Sequence, residues 1–172
     1  FTAADRIEID GHGEIKFGHA LIATGAKPRP LDFPGAECLI DSTDFLNLSN
    51  LPKRIIFVGG GYISFEFAHI AARAGAEVTI LDHGARQFKL FDPDLVNMLL
   101  ERSRAAGIEI ISEATPEKIE AAGKAQRIFY GKDGNTHVKE ADLMVHGAGR
   151  VPAVDELNLS TAGIETEHGG VK

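Results

Sequence analysis

The fold of this 172-residue chain is constrained most by residues 53–82, which have the sequence KRIIFVGGGYISFEFAHIAARAGAEVTILD. An apolar run at 55–58, rich in β-branched and aromatic side chains and stopped by three glycines, is typical of a strand buried on both faces of a parallel sheet. Residues 62–74 then have apolar side chains at helical spacing, and residues 77–81 are again short and apolar. The stretch therefore predicts a strand, a tight glycine turn, a helix and a parallel strand, joined by a right-handed crossover. The apolar positions that define the helical spacing are Ile63, Phe67, Ile70 and Ala74.

The glycine turn and the acidic residue after the second strand predict a dinucleotide-binding site. Gly59 permits the tight turn, and Gly61 leaves room for a pyrophosphate beside the backbone, where unpaired N–H groups and the helix dipole favour negative charge. The third small residue of the motif is Ser64 in place of Gly or Ala, which is still small enough for close helix packing. Asp82 lies 23 residues beyond Gly59, close to where a carboxylate accepts hydrogen bonds from an adenosine ribose. The alternative is a flexible glycine connection and a solvated strand end, which the combined spacing disfavours.

Composition and charge narrow the class of protein and of partner. The chain has 44% hydrophobic and 25% charged residues, as expected for a globular domain with a proper core. Its formal net charge is −7 and its basic residues are scattered, so we expect a small-molecule partner and no nucleic acid. The single cysteine, Cys38, excludes a disulfide or a paired-cysteine redox centre within these residues, and the seven histidines have no metal-ligand spacing. Without a membrane-length apolar run or a signal-peptide pattern, we expect a cytoplasmic protein that binds no membrane and no metal.

The segments before residue 53 carry shorter signals. Residues 6–10 alternate apolar and polar side chains before the turn sequence DGHG, which predicts a hairpin whose second arm runs from Ile15 through residues 20–23. Three prolines and a glycine in residues 26–38 predict a linker and a domain boundary.

Two helices are predicted outside the central stretch. The first is short, over residues 42–48, with Ser42 as its N-cap. The second begins after the N-cap Asp92, has Pro93 at its first position and ends at Gly107. The predicted buried stripe of the second helix is Leu95, Met98 and Leu99.

The remaining strands complete an α/β fold. Residues 108–111 predict a third parallel strand, and residues 141–145 form an apolar run that leads into a second glycine-rich strand end, HGAGRVP. Between them, short alternating segments predict a small antiparallel meander over residues 118–121, 127–130 and 136–139. The predicted fold class is a Rossmann-like parallel sheet with flanking helices plus this meander.

Three motifs, in one order along nearly the whole chain, resemble those of the flavoprotein disulfide reductases, the family of glutathione reductase, dihydrolipoamide dehydrogenase and mercuric reductase. They are HALIATGAKPR at 19–29, VGGGYISFEFA at 58–68 and HGAGRVPAVDELNLSTAGIE at 146–165. The resemblance implies that residues 26–149 are an NAD(P)-binding domain, and that residues 1–25 and 150–172 are flanking segments of an FAD-binding domain. It implies the nicotinamide-nucleotide-binding portion of an NAD(P)H- and FAD-dependent oxidoreductase that passes a hydride to flavin and electrons on to a disulfide or similar acceptor.

The family's flavin-binding glycine motif, redox cysteine pair and His–Glu acid/base pair have no counterpart in these residues. The resemblance therefore implies a fragment with no catalytic residue of its own, whose partner is the remainder of a parent flavoprotein that is expected to be a homodimer. We expect the isolated chain to bind a nicotinamide dinucleotide, to hold no FAD and to be inactive. The alternative is a stand-alone dinucleotide-binding or sensing module, which has no use for the ATG and GRxP flanks.

The resemblance also assigns roles to individual residues. Tyr62 matches an aromatic gate over the nicotinamide pocket, and Glu66 matches a glutamate near the nicotinamide that pairs with a lysine of the flavin domain. The alternatives are a tyrosine packed at a helix start and a solvated glutamate. Gly149 matches the close backbone approach at the nicotinamide end, whereas His146 is interpreted as structural. The predicted cofactor-binding residues are Gly59, Gly60, Gly61, Tyr62, Ile63, Glu66, Asp82, His83, Lys89, Gly147 and Gly149.

The choice between NADH and NADPH depends on side chains that act in opposite directions. Asp82 would accept from the ribose hydroxyls of NADH and repel a 2′-phosphate. His83 and Lys89 fall where NADPH-using relatives tend to carry arginines, and Arg86 lies in the same loop. Because exposed cations contribute little, the sequence favours NAD(H) over NADP(H).

Overall fold

Residues 1–167 and 170–172 are described by a computed structural model, so residues 168 and 169 of the predicted flanking segment 150–172 lie outside the described residues. The described chain forms two compact units, Pro30–Gly149 and a smaller one from Phe1–Arg29 with the described part of 150–172. In chain order the elements are β1 (Arg6–Ile9), β2 (Gly13–Lys16), β3 (Ala26–Pro28), α1 (Ser42–Leu46), β4 (Arg54–Val58), α2 (Tyr62–Arg73), β5 (Glu77–Leu81), α3 (Pro93–Ala105), β6 (Glu109–Ile111), β7 (Thr115–Ala122), β8 (Ala125–Lys132), β9 (Asn135–Ala141), β10 (Leu143–His146), β11 (Arg150–Pro152), β12 (Thr166–Glu167) and β13 (Gly170–Val171).

A four-stranded parallel sheet in the order β10-β4-β5-β6 forms the centre of the larger unit, as predicted. Its two inner strands, β4 and β5, are buried on both faces, since Phe57 and Ile80 have no exposed surface and Ile55 and Ile56 almost none. The chain leaves β4 for β5 and β6 on one side, and β10 adds on the other side. The order of the strands therefore reverses at β4, and in such sheets ligands bind outside the carboxyl ends of the strands at that point.

The two faces of the sheet are covered by different layers. One face packs on α2 and α3 through a cluster that includes Phe57, Ile80 and Phe65. The other packs on the meander β7-β8-β9 through a cluster that includes Ile56 and Ile128. The meander is confirmed, with longer strands than the sequence predicted.

Helix α2 packs on the sheet through small side chains. Its buried residues are Ser64, Phe65, Ala68 and Ala71. Ile70, one of the positions that define the apolar spacing, is exposed. Small residues at 64, 68 and 71 let the helix lie close to the strands, and a branched side chain there would hold it away.

The predicted N-cap of α1 is wrong by one residue. Asp41 is the N-cap, and its carboxylate accepts hydrogen bonds from the backbone N–H groups of Thr43 at 2.7 Å and Asp44 at 2.9 Å. The Asp44 side chain accepts from the Asp41 N–H, which completes a capping box. An ionised carboxylate at this position accepts two bonds and complements the helix dipole, which the Ser42 hydroxyl cannot match.

The start of α3 is confirmed and its predicted buried stripe is wrong. Asp92 caps the helix by accepting from the Asp94 N–H at 2.8 Å, with Pro93 in the first turn. The buried residues are Val96 and Ser103, Leu99 is partly buried, and Leu95 and Met98 are exposed. Since two adjacent faces of this helix carry apolar residues, the spacing alone could not decide which one packs on the sheet.

The smaller unit is built from short antiparallel pairs. The β1–β2 hairpin is confirmed, but its predicted continuation through residues 20–23 is wrong: no strand covers those residues, and Leu21 is almost fully exposed. Part of the predicted linker is a strand instead, because β3 pairs with β11. Pro28 is tolerated there because β3 is an edge strand of a two-stranded pair. Across the described residues, no helix is long and apolar enough to cross a membrane.

Candidate dinucleotide-binding site

Two glycine-rich turns meet at the carboxyl ends of β4 and β10. The Gly59 N–H donates to the Leu81 carbonyl at 2.8 Å, and the Gly147 N–H donates to the Val58 carbonyl at 2.8 Å. Gly59 has a φ of 107°, and a Cβ added there would lie 2.5 Å from the backbone N and Cα of Ala148. The two turns therefore pack backbone against backbone, which only glycine at position 59 allows.

The N-terminus of α2 opens beside these turns. Gly61 is the N-cap and offers no side chain to the free N–H groups of the first turn, which contains no acidic residue. A Cβ added at Gly61 would meet the Gly147 carbonyl oxygen at 3.3 Å and, apart from the two adjacent residues, no other described atom within 4 Å. The space next to Gly61 and the uncapped amides fit a pyrophosphate.

Asp82 lies beneath the glycine turn rather than at a solvated strand end. Its side chain is 9% exposed, and its Oδ2 accepts a hydrogen bond from Gln87 Nε2 at 3.0 Å. A Cβ added at Gly60 would lie 2.4 Å from the same Oδ2, so the carboxylate packs directly against the Gly60 backbone. The Asp82 backbone is also paired, through bonds to Ile111 and Ala114 at 2.9 Å each.

The basic residues of the loop after β5 differ in their surroundings. The His83 side chain is 74% exposed, and its Nδ1 lies 3.6 Å from Asp82 Oδ1. Lys89 is exposed. Arg86 donates through Nη2 to the Phe91 carbonyl at 2.7 Å and so holds its own loop together.

The residues predicted for the nicotinamide end lie at the start of α2 and after β10. Tyr62 is 60% exposed, which argues against a tyrosine packed into the helix start, and Glu66 is exposed. Both line an open cavity of about 550 Å³, whose other lining residues are Phe65, His69, Phe88, Phe91, Leu95, Val96 and Leu99. Ile63 is half-buried, and Gly149 has a φ of 103°.

The sequence did not predict the polar contacts that Gln87, Ser112 and Ser64 make or lack in this region. Gln87 and Ser112 form a network with Asp82, and an isolated glutamine in a loop gives no periodic signal that could have revealed it. Ser64 was predicted only as a small residue. Its Oγ is buried, has no hydrogen-bond partner among the described residues and would lie 1.8 Å from a Cβ added at Gly147.

His69 links α2 to α3. Ser103 Oγ donates to the Leu99 carbonyl at 2.8 Å, so it accepts from His69 Nε2 at 2.9 Å. Burial, and then the charge of Arg73, lower the pKa of His69. A neutral imidazole is therefore favoured in this contact.

Comparison with known proteins agrees with this fold. The family model for pyridine nucleotide-disulphide oxidoreductases matches residues 2–172. The chain therefore belongs to this family of FAD- and NAD(P)-dependent oxidoreductases.

Individual relatives are longer than this chain. It is 33% identical to a mercuric reductase of Lysinibacillus sphaericus over 168 residues, which cover 96% of this chain and 31% of that protein. It is 32% identical over 175 residues to a dihydrolipoyl dehydrogenase of Geobacillus stearothermophilus, covering 99% of this chain and 37% of that protein. The structure of the HOCl-induced flavoprotein disulfide reductase RclA from Escherichia coli matches 99% of this chain and 39% of its own, with 29% identity and a TM-score of 0.86. The chain thus spans about a third of the length of these relatives.

Proposed function

We propose that this chain is the nicotinamide-nucleotide-binding portion of an NAD(P)H- and FAD-dependent oxidoreductase, with residues 26–149 as the nucleotide domain and residues 1–25 and 150–172 as parts of a flavin domain. The observation that carries the proposal is the joint cradle at the carboxyl ends of β4 and β10. There, the Gly59 turn packs on Ala148, and the first turn of α2 has uncapped N–H groups beside the open space at Gly61. A dinucleotide pyrophosphate is the ligand whose charge and size fit this cradle.

The proposed binding residues fall into three groups, at the pyrophosphate, at the adenosine ribose and at the nicotinamide. Gly59, Gly60 and Gly61, with Ile63 and Gly147 beside them, surround the pyrophosphate. Asp82, His83 and Lys89 bind the adenosine ribose end, and Tyr62, Glu66 and Gly149 lie at the nicotinamide end. These roles use backbone N–H donors at the phosphate and one buried carboxylate at the ribose, which together orient the cofactor.

The chemistry belongs to the whole parent protein. A reduced nicotinamide held by these residues would supply a hydride to the flavin of the parent protein, and the electrons would pass on to a disulfide or similar acceptor. This chain binds and orients the nucleotide without catalysing turnover on its own. We propose a homodimeric, cytoplasmic parent, and the alternative remains a stand-alone dinucleotide-sensing module.

Titration calorimetry of the purified chain with NADH, together with an absorption spectrum, tests this function. We expect saturable 1:1 binding of NADH and no flavin absorbance. A chain that binds neither NADH nor NADPH, or one purified with stoichiometric FAD, would show the proposal to be wrong.

We further propose that NADH binds more tightly than NADPH. A buried carboxylate at the ribose position repels a 2′-phosphate, and the opposing basic side chains of His83 and Lys89 are exposed. Asp82→Ser should shift the preference toward NADPH by about tenfold, which corresponds to about 1.4 kcal/mol. Tighter NADPH binding by the wild type, lost in Lys89→Ala, would show that the loop cations dominate.

A further inference from the structure

Gln87 is a buried polar residue in the loop between β5 and α3. Only 3% of its surface is exposed, although the two residues before it, Ala85 and Arg86, are exposed. A primary amide is costly to bury without hydrogen-bond partners, so its position calls for a specific interaction. That interaction is with Asp82 and Ser112.

The amide orientation of Gln87 follows from the chemistry of its partners. Nε2 donates to Asp82 Oδ2 at 3.0 Å and to Ser112 Oγ at 3.0 Å. An ionised carboxylate only accepts, so a flipped amide would bring Oε1 against Oδ2 and repel it. Gln87 therefore donates to Asp82, and the bond is charge-assisted.

This bond gives the two carboxylate oxygens of Asp82 different surroundings. Oδ2 is held by Gln87 and packs against Gly60, with Gly84 close on another side. The other oxygen, Oδ1, lies on the side of the exposed His83 ring, 3.6 Å from its Nδ1. Asp82 thus has one oxygen fixed inside the fold and one directed toward the loop.

We propose that Gln87 is a positioning residue that sets the ribose specificity of the site, by holding Asp82 so that Oδ1 accepts from the 2′-hydroxyl of a nicotinamide dinucleotide. The inference rests on the proposed function and adds a residue to it. Without the amide, the carboxylate loses its internal donor and turns away from the geometry that favours a hydroxyl over a hydrogen or a phosphate at the 2′ position.

The test uses three nucleotides that differ only at the adenosine 2′ position: NADH, 2′-deoxy-NADH and NADPH. The variant Gln87→Met keeps the length of the side chain and removes its donors, and Ser112→Ala is the control, because it removes the other partner of the same Nε2 and leaves Asp82 untouched. In the wild type we expect NADH to bind about tenfold more tightly than 2′-deoxy-NADH, which is the discrimination of one charge-assisted hydrogen bond.

In Gln87→Met we expect this preference to fall to about twofold, the NADH:NADPH preference to fall with it, and the affinity for 2′-deoxy-NADH to stay within about twofold of wild type. Ser112→Ala should keep the wild-type preferences. A uniform loss of affinity for all three nucleotides, or an unchanged 2′ preference in Gln87→Met, would overturn the inference and leave the proposed function standing.

If Gln87→Met does not fold, the wild-type measurement still allows the inference to be overturned. Equal affinities of the wild type for NADH and 2′-deoxy-NADH would overturn the role of Gln87, because Oδ1 would not bind the hydroxyl. Binding of none of the three nucleotides would overturn the proposed function as well.

Discussion

Gly59 and Gly61 stand two positions apart in the same turn and should respond differently to substitution. Gly59→Ala introduces a side chain at a φ of 107° and 2.5 Å from the backbone of Ala148, so it strains both turns. We expect it to lower the free energy of unfolding by about 3 kcal/mol. Gly61→Ala has an ordinary φ of −86° and open space beyond the Gly147 carbonyl. It should cost about 1 kcal/mol of stability and weaken NADH binding at least tenfold.

Chemical denaturation and calorimetry on the two variants check this contrast. A Gly61→Ala protein that is folded and binds NADH as tightly as the wild type would contradict the assignment of the pyrophosphate to this turn.

Ser64 and Gly147 should be energetically coupled. A Cβ at position 147 would lie 1.8 Å from Ser64 Oγ and 3.2 Å from Ser64 Cβ, so most of the clash is with the hydroxyl. We expect Gly147→Ala to destabilise the fold by about 2 kcal/mol in the wild type and by about 1 kcal/mol less in a Ser64→Ala background. A double-mutant cycle by denaturant unfolding measures this coupling, and strictly additive effects would contradict the packing of the hydroxyl on Gly147.

The single substitution Ser64→Ala has its own expected outcome. The Ser64 hydroxyl is fully buried and lacks a hydrogen-bond partner in the part of the chain that the structure describes. Removing it should therefore raise the free energy of unfolding by about 1 kcal/mol, because a desolvated donor is lost. A clear loss of stability in denaturant unfolding would indicate a partner for this hydroxyl.

At the residue scale, the sequence reveals the glycines better than it reveals the polar contacts. Gly59 and Gly61 follow from the turn and helix start that they must form. The position of Asp82 at the strand end also follows from spacing, but its burial does not. Burial depends on Gly60 above it and on Gln87 beside it, and a contact between side chains across a loop leaves no periodic trace.

At the scale of elements, a charged cluster connects the start of β4 with the end of β9 and the residue after it. Arg54 donates to Asp142 through Nη2 at 2.6 Å and to Glu140 through Nη1 at 3.1 Å, and Arg127 donates to Glu140 at 3.1 Å. The hydrogen bond from Arg54 lowers the pKa of Asp142, and those from Arg127 and Arg54 lower the pKa of Glu140.

Because both carboxyl pKa values are lower in the folded state, the cluster stabilises the fold above the ordinary pKa values of 3.8 and 4.5. This contribution is lost as the pH falls through the folded-state values. We therefore expect Arg54→Met to be less stable than the wild type at pH 7, with the difference shrinking as the pH falls below about 4.

Urea unfolding of both proteins across this pH range tests the expectation. Lys118→Met is the matched control, since it removes a cation that pairs with Glu120 within one strand. A stability difference between Arg54→Met and the wild type that is constant with pH would contradict the electrostatic role of the cluster.

The sequence predicted some helices and strands more accurately than others, and the differences have physical reasons. The unit β4-α2-β5 was predicted in order and type, since its strands are buried on both faces and its helix is bounded by glycines. The packing face of α2 was not predicted. The helix packs on the sheet through small side chains such as Ala68, and not through its most apolar stripe. Residues 20–23 have the composition of a strand, but a strand also needs a partner, which composition cannot supply.

At the scale of the whole molecule, the fold class was predicted and confirmed. The distribution of the core over the two faces of one sheet was not predicted. No local sequence pattern indicates which face of β4 packs on the helices and which packs on the meander. The alternation in β4 assigns Ile55 and Phe57 to the helical face and Ile56 and Val58 to the meander face. The larger unit therefore has its own two-sided core, whereas Leu159 is the buried hydrophobic residue described in the smaller unit.

This distribution predicts that a shortened chain of residues 30–149 folds and binds NADH without either flank. Both hydrophobic clusters and every predicted cofactor-binding residue lie within it. We expect its unfolding to remain cooperative, and its NADH affinity to stay within about threefold of the full 172-residue chain, or about 0.7 kcal/mol. The same shortened chain with Gly61→Ala is the control for specific binding. Cooperative unfolding without NADH binding would show that the flanks complete the site, and a shortened chain that does not fold would show that the core of the larger unit depends on them.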